Sequence, residues 1–337
     1  MDPDSDEARA VIDALRRMGL LAPGEIDVRI TPLAGGVSSL IVRAETAGGL
    51  ICVKRALPQL KVAAHWEAPV ERNRAEVAWM KLAMRIVPGG VPEILGEDAQ
   101  SFAYAMGYLE PSDFPVWKAQ LLARQADVET ARAVGRNLVA IHAATADNAD
   151  LARDFANDQS FHALRLDPYF VAAARAHPDC AEALHALVHT TANTKLALVH
   201  GDISPKNILV GADGPVLLDA ECAWYGDPAF DLAFCLNHLL LKTVWRPASA
   251  DGYLRCFDAL AASYLAGVQW EPARALEARA TALLAGLLLA RIDGKSPVEY
   301  ITRSADKERV RHFAIALLNS PAQLLSDLRQ RWSRSCP

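Results

Sequence analysis

The pattern of the chain changes near Pro111, and that change limits the folds open to it. Before Pro111, short β-branched runs separated by Gly-rich turns read as strands: IDVRITPLAGG, SSLIVRAE, LICVKRAL, PEILGED and SFAYAMGYLE. One helix, ERNRAEVAWMKLAMRI, interrupts them and is closed by the breaker VPGG. Another, SDEARAVIDALRRMGLL, precedes them, with apolar residues at helical spacing and acids at the end where a helix dipole is positive. After Pro111 the pattern is mostly helical, as in VWKAQLLARQ, VETARAVGRNLVAIHAAT, AEALHALVHTTAN, PAFDLAFCLNHLLLK, GYLRCFDALAASYLAG and the Ala/Leu-rich segment around Ala280. The expected class is α+β: residues 1–110 form a small β-rich lobe with one main helix, and residues 111–337 a larger, mainly helical lobe.

The bulk numbers exclude several classes. With 52% hydrophobic and 22% charged residues this is an ordinary globular chain, and a net charge of −5 gives no electrostatic footprint for nucleic acid. The six cysteines (Cys52, Cys180, Cys222, Cys235, Cys256, Cys336) form no CxxC pair and no zinc-like spacing, so they read as reduced core residues. The start, MDPDSDEARA, is acidic and has no apolar signal region. The longest smooth apolar run, Ala280–Ala290, is short of the ~20 residues a bilayer span needs. The expectation is a soluble, cytoplasmic protein that binds neither membrane nor nucleic acid, as a monomer or homodimer.

The chemistry is concentrated in LVHGDISPKNILV, residues 198–210, where His200, Gly201 and Asp202 follow a short apolar run and Asn207 stands five positions beyond the aspartate. A second apolar run, in VLLDAE, ends at Asp219 and Glu221. Phosphoryl transfer from ATP needs a carboxylate to position the accepting hydroxyl, oxygen ligands for Mg²⁺, and cations for the phosphates. Asp202 and Asn207 supply the first and part of the second on one tight loop, and Asp219 and Glu221 add the hard oxygens that Mg²⁺ prefers. The order is that of a protein-kinase catalytic loop followed by a metal-binding Asp, with His-Gly-Asp in place of His-Arg-Asp.

On HGDISPKN and LLDAECAWYGDPAFDLA the sequence resembles the aminoglycoside phosphotransferase and choline kinase group of small-molecule kinases. HGD by itself is a frequent accident; the joint pattern, with its Gly-Asp-Pro and Asp-Leu-Ala, is specific. The resemblance implies a two-lobed protein-kinase-like fold, ATP as phosphate donor, Mg²⁺, and a small-molecule hydroxyl as acceptor. A narrower similarity, to 5-methylthioribose kinases, rests on VKRALPQLKVAAHWEAPVERNRAE and on DAE with AWYGDPAFD behind it. The chain departs from that pattern in keeping Asn207 and in having one arginine, Arg291, where those enzymes carry an adjacent pair that holds the sugar.

The resemblance also distributes roles. Lys54, on ICVK, becomes the phosphate-binding lysine, and Glu76 its helix partner, with Glu71 a competing choice. The turn holding Gly35, Gly36, Ser38 and Ser39 either lies over the phosphates or is a plain hairpin turn. YAMGYLE puts Met106, Tyr108 and Leu109 at the hinge whose backbone meets adenine. Asp202 is the expected catalytic base or hydroxyl-orienting carboxylate, against a turn-capping aspartate. Asn207 and Asp219 are the expected Mg²⁺ ligands; Glu221 either holds a second metal or is a salt-bridged surface residue. His200 braces the loop, and Asp231 either accepts backbone N–H groups from it or caps its own helix. His142 reads as a core histidine, and Trp66, Trp79 and Trp224 as core. Arg291, Asp293 and Lys295 either face substrate or form a surface turn.

Polycationic aminoglycosides favour acidic surroundings, yet Pro111–Val199 holds ten Asp or Glu against eight Lys or Arg. A polyhydroxylated, sugar-like acceptor such as methylthioribose fits better. The rivals are an antibiotic phosphotransferase and a nucleotide-binding regulatory module without catalysis; the second lacks its usual sign, a missing base or metal ligand.

Overall fold

In the structure, a computed structural model that describes residues 5–25, 27–33, 39–57 and 72–336, Ser5 caps the first helix, α1 (Asp6–Arg17). Its hydroxyl accepts the Ala8 N–H at 3.2 Å, Asp6 and Glu7 occupy the first turn, and Arg16 and Arg17 the last, each sign where the dipole favours it. Buried Ala8, Val11, Ala14 and Leu15 recur at three- and four-residue spacing and form one stripe. Strands β1 (Arg29–Pro32), β2 (Ser39–Thr46) and β3 (Gly49–Ala56), helix α2 (Arg72–Ile86), and strands β4 (Ile94–Asp98) and β5 (Ala103–Gly107) follow. The strands make one antiparallel sheet in the order β1-β2-β3-β5-β4. Val11 and Leu15 pack on Ile30, Val42, Ile51, Val53 and Ala105, each buried Val, Leu or Ile contributing about 1.5–3 kcal/mol. Arg17 pins α1 to β4 through Asp98 at 2.7 Å. These elements belong to the first of two compact units, Met1–Phe114 and Pro115–Pro337.

The second unit opens with α3 (Trp117–Leu122), α4 (Val128–Thr145) and α5 (Ala149–Asp154). Asp127 starts α4 by accepting the N–H groups of Glu129 and Thr130. α6 (Asp158–Phe161) continues through π-helical turns over His162–Val171 into α7 (Ala172–Ala176). Pro168 lies inside those turns and has no N–H for an α ladder, which the wider turn accommodates. α8 (Ala181–Asn193) precedes four short strands, β6 (Ala197–Val199), β7 (Ile208–Gly211), β8 (Gly214–Leu217) and β9 (Trp224–Gly226), which pair as β6–β9 and β7–β8. α9 (Ala229–Trp245), α10 (Ala250–Leu265), α11 (Ala273–Asp293), α12 (Ser304–Asn319) and α13 (Leu325–Ser335) complete the unit.

α9 is buried on nearly every face and packs against α10, α11 and α12, so it is the centre of this unit. α4 and α10 approach closely at Gly135, where a Cβ would stand 2.6 Å from the Leu260 carbonyl oxygen. All six cysteines are buried and free. Among the described residues no helix is long and apolar enough to cross a membrane.

Candidate active site

Residues 200–228, between β6 and α9, build the motif region within the second unit. β6 delivers the chain to His200, and Gly201 then turns it at φ +80°, where an added Cβ would meet the Cys222 carbonyl oxygen at 2.7 Å. Both the left-handed backbone and the close approach require glycine. Pro205 opens a single 3₁₀ turn, Pro205–Asn207, that presents Asn207 back toward Asp202 before β7 begins. β8 ends at Leu217, and Asp219 adopts φ +68°, a strained conformation for a non-glycine residue and one that clusters at functional sites.

Asp231, fully buried on α9, holds this turn in place. Its Oδ2 accepts the His200 N–H at 2.7 Å and its Oδ1 the Gly201 N–H at 2.8 Å. His142 of α4 approaches the same carboxylate at 3.2 Å and, through its other ring nitrogen, the Tyr264 hydroxyl at 2.7 Å. His200 Nδ1 accepts the Asp202 N–H at 3.1 Å, so its proton sits on Nε2, which donates to the Leu218 carbonyl at 3.1 Å. Burial pushes the His200 pKa down and keeps the ring neutral. Of the two readings open for Asp231, the structure takes the first: it accepts backbone N–H groups from the loop. The carboxylate at the start of α9 is instead that of Asp227, which stands ahead of the N-cap Pro228, accepts the Ala229 N–H and forms a two-point ion pair with Arg279 at 3.0 Å.

Asp202 is nearly fully buried yet surrounded by donors. Its Oδ2 receives Asn207 Nδ2 at 2.9 Å and lies 3.0 Å from Arg165 Nη2 and 3.2 Å from Lys206 Nζ. Burial raises its pKa, but the charges of Arg165 and Lys206 outweigh that, and the carboxyl is held below its ordinary range and ionised. Among the described residues no hydrogen bond reaches its Oδ1. Arg165 is fixed in turn by donating from Nε to the Gly201 carbonyl and from Nη1 to Leu164 O at 2.7 Å.

The oxygen donors fit a divalent cation. Asn207 spends its amide N–H groups on the Asp202 carbonyl and carboxylate, which leaves its carbonyl oxygen as the coordinating end. Asp219 is close enough to Asp202 for the two negative charges to interact, and Glu221 stands two residues further on. Among the described residues no group of three or more His, Cys, Asp or Glu forms a metal cage. One or two carboxylates and a carbonyl oxygen are what Mg²⁺ takes from protein when phosphates fill the remaining positions.

In the first unit, Lys54 and Glu76 form a buried ion pair, Nζ to Oε1 2.7 Å, that ties β3 to α2. Glu71, the competing partner, and Gly35, Gly36, Ser38 and Trp66 lie outside the described residues. Ser39 is buried at the start of β2 opposite Ala56. Met106 is on β5 opposite Cys52, and Tyr108 and Leu109 follow directly after that strand. Trp79 and Trp224 are core, and Trp224 stacks on Phe161 at 4.1 Å.

Asp293 is engaged by Arg311 (2.7 and 2.9 Å) and by His177 (2.7 Å), so its carboxylate is committed within the fold. Lys295 pairs with Asp167 at 2.6 Å. Arg291 is buried and donates to the Tyr169 hydroxyl at 3.3 Å and to Ser296. Sequence reasoning overlooked Arg165 and Lys206. Lys206 was visible as the residue before Asn207; Arg165 stands in a Pro-containing segment that carries no motif signal.

The Phosphotransferase enzyme family (APH) profile matches residues 29–262, a span that contains Lys54, Asp202, Asn207, Asp219 and Asp231. The methylthioribose kinase of Yersinia pseudotuberculosis is 24% identical over 273 residues, 72% of this chain and 66% of that protein, so the chain spans just under two thirds of that relative's length. Among solved structures, the amicoumacin kinase hAmiN in complex with AMP-PNP, Ca²⁺ and Ami is 13% identical with a TM-score of 0.57 over 97% of each chain. A choline/ethanolamine kinase family protein from Mesorhizobium loti is 18% identical with a TM-score of 0.51 over 98% of each. These two likenesses concern the fold, the α+β two-lobed kinase-like class expected from the sequence. Since the family profile covers well over half of the residues and includes the whole HGD-to-Asp231 region, the chain belongs to the APH phosphotransferase enzyme family.

Proposed function

We propose that the protein is an ATP- and Mg²⁺-dependent kinase that transfers the γ-phosphate to a hydroxyl of a small, polyhydroxylated metabolite. The observation that carries this reading is the asymmetry of Asp202. Three donors converge on Oδ2 and hold the carboxylate ionised, while Oδ1 is left to accept from an incoming hydroxyl. An ionised, fixed carboxylate orients the hydroxyl oxygen for in-line attack and takes its proton as the new O–P bond forms and the bond to the ADP oxygen breaks. His200, neutral and bonded on both ring nitrogens, has no proton to trade and braces the loop.

Asn207, Asp219 and Glu221 would hold Mg²⁺, which when bound neutralises the charge on the transferring phosphoryl group. Lys54, kept charged and aimed by Glu76, would bind ATP phosphate oxygens. The first unit thereby takes the role of nucleotide-binding lobe, with the backbone of Met106–Leu109 serving adenine, and the second that of catalysis and acceptor binding. A sugar-like acceptor accords with the methylthioribose kinase relative.

The test is Mg²⁺-dependent ADP release across pentoses, methylthioribose, amino alcohols, hydroxy acids and aminoglycosides, with Asp202→Ala as control. Turnover that falls roughly 10²–10⁴-fold in the variant is expected. Wild-type turnover in Asp202→Ala, or failure of the native protein to bind ATP, would sink the reading.

A further inference from the structure

One stripe of α9 begins at Asp231, beneath the catalytic turn, and continues through Phe234 and His238 to Lys242, residues spaced three and four apart. Lys242 is 1% exposed and its ammonium makes no salt bridge or hydrogen bond with any described residue, lying 4.4 Å from the centre of the Tyr300 ring. Arg291, on the neighbouring α11, is 8% exposed and also lacks an acidic partner: its bonds go to Tyr169 and Ser296, and its Nε is buried without an acceptor among the described residues. The acids that stand nearest in sequence make their direct pairs elsewhere, Asp293 with Arg311 and His177, and Glu299 with Lys118, so that Glu299 reaches Lys242 only as a charge at longer range.

This cluster adjoins the reacting carboxylate. The guanidinium of Arg165, bound to Asp202, lies 6.0 Å from the centre of the Tyr169 ring, and that of Arg291 lies 5.6 Å from the same ring. Burial, then the charges of Arg291, Lys242 and Lys206, push the His238 pKa well below its usual value, so one neutral imidazole feels both Lys206 beside Asp202 and the two cations further along. A buried cation without a counter-charge costs several kcal/mol. Two of them close together are retained where something else supplies the anion.

We propose that Arg291 and Lys242 form an anion subsite, so that the acceptor carries, besides the hydroxyl presented to Asp202, a carboxylate or phosphate group. This rests on the kinase reading above and names the substrate class within it: a sugar acid, hydroxy acid or sugar phosphate in place of a neutral sugar or a polycationic antibiotic. His238 and the Tyr300 hydroxyl, which is buried without a partner among the described residues, supply neutral polar groups at the edge of the cluster. Tyr300 also lines a cleft of about 470 Å³ with Arg124, Arg246 and Arg303 against the single acid Asp306, which extends the positive potential around the cluster.

The experiment compares matched acceptors in the Mg²⁺-dependent ADP-release assay: ribose, methylthioribose, ribonate and ribose 5-phosphate, then glycerol, glycerate and glycerol 3-phosphate, with serinol and kanamycin as cations. An anionic member should exceed its neutral parent at least tenfold in kcat/KM, and the better of carboxylate and phosphate identifies the group. Lys242→Met should erase that advantage through KM with little change in kcat. Equal or better use of a neutral or cationic acceptor overturns the subsite and leaves the kinase standing; absence of ATP binding overturns the kinase. If no acceptor turns over, thermal melting with L-tartrate and its neutral counterpart threitol decides. Tartrate should raise the melting temperature of the native protein and not that of Lys242→Met; equal effects of tartrate and threitol overturn the subsite.

Discussion

Arg165 Nη2 stands 3.0 Å from Asp202 Oδ2 while its Nε donates to the carbonyl of Gly201, so one guanidinium ties together the Asp202 carboxylate and the turn that presents it. A planar fork can do both; an ammonium offers only a point charge. Arg165→Met should lower kcat by about 10²-fold or more, since Asp202 loses both a charge partner and its orientation. Arg165→Lys should recover only part of the loss. Steady-state kinetics with ATP KM as internal control checks this, and full activity in Arg165→Met would remove Arg165 from the positioning machinery.

Asp231 receives two backbone N–H groups and sits against His142, with no exposure to solvent. Asp231→Asn keeps the shape but turns one acceptor into a donor facing a backbone N–H. A buried, unsatisfied pair of this kind costs about 1–3 kcal/mol, more where a charge is lost. Urea unfolding should show a midpoint lowered accordingly, with activity reduced well beyond what the remaining folded fraction explains. A midpoint unchanged from the native protein would show the network to be slack.

How much of this could be read in advance follows physical lines. Helices were legible from apolar residues at helical spacing: VETARAVGRNLVAIHAAT, with Asp127 ahead of it as cap, coincides with α4, and AEALHALVHTTAN, which has no side-chain cap, with α8. Asp202, Asn207 and Asp219 were legible as candidates because their residue types are packed into one local spacing, and the structure brings Asn207 onto Asp202. The segment around Arg165 was not: Pro168 breaks the helical pattern, and only the π-helical turns allow the helix to continue. Strands β7 and β9 are too short to show alternation, and their pairing with β8 and β6 is a tertiary matter. Lys242 carries no motif signal, and sequence does not reveal that α9 is enclosed on nearly all sides.

Lys54 and Glu76 form a pair whose side chains are 4% and 2% exposed, so breaking it and replacing it are different experiments. Lys54→Met alone leaves the Glu76 charge buried without this cation and should destabilise by about 3–5 kcal/mol. The double variant Lys54→Met with Glu76→Leu should recover most of that stability and none of the activity. Thermal melts and ADP release on the three variants check both halves. Recovery of turnover in the double variant would show that the pair serves folding alone.

Lys242 makes a pH-dependent statement about stability. Burial first, then the neighbouring charges of Lys118 and Arg291, lower its pKa from an ordinary 10.5 to about 8, with Glu299 opposing. Below pH 8 the folded protein holds this charge at a cost. Between pH 8 and 10.5 the unfolded chain binds a proton that the folded chain releases, so this group makes stability rise with pH, and above 10.5 both states are neutral and the cost is gone. The span corresponds to roughly 3 kcal/mol. Lys242→Met lacks the cost at every pH. Chemical unfolding of the two proteins from pH 6 to 10 should therefore show the variant more stable at neutral pH, with the gap narrowing steadily above pH 8. Comparing the pair cancels the tyrosines and other lysines that titrate in the same range. A gap that stays constant with pH would mean that the ammonium is better solvated than its burial implies, and a gap of opposite sign at neutral pH would mean that the fold itself supplies the missing anion.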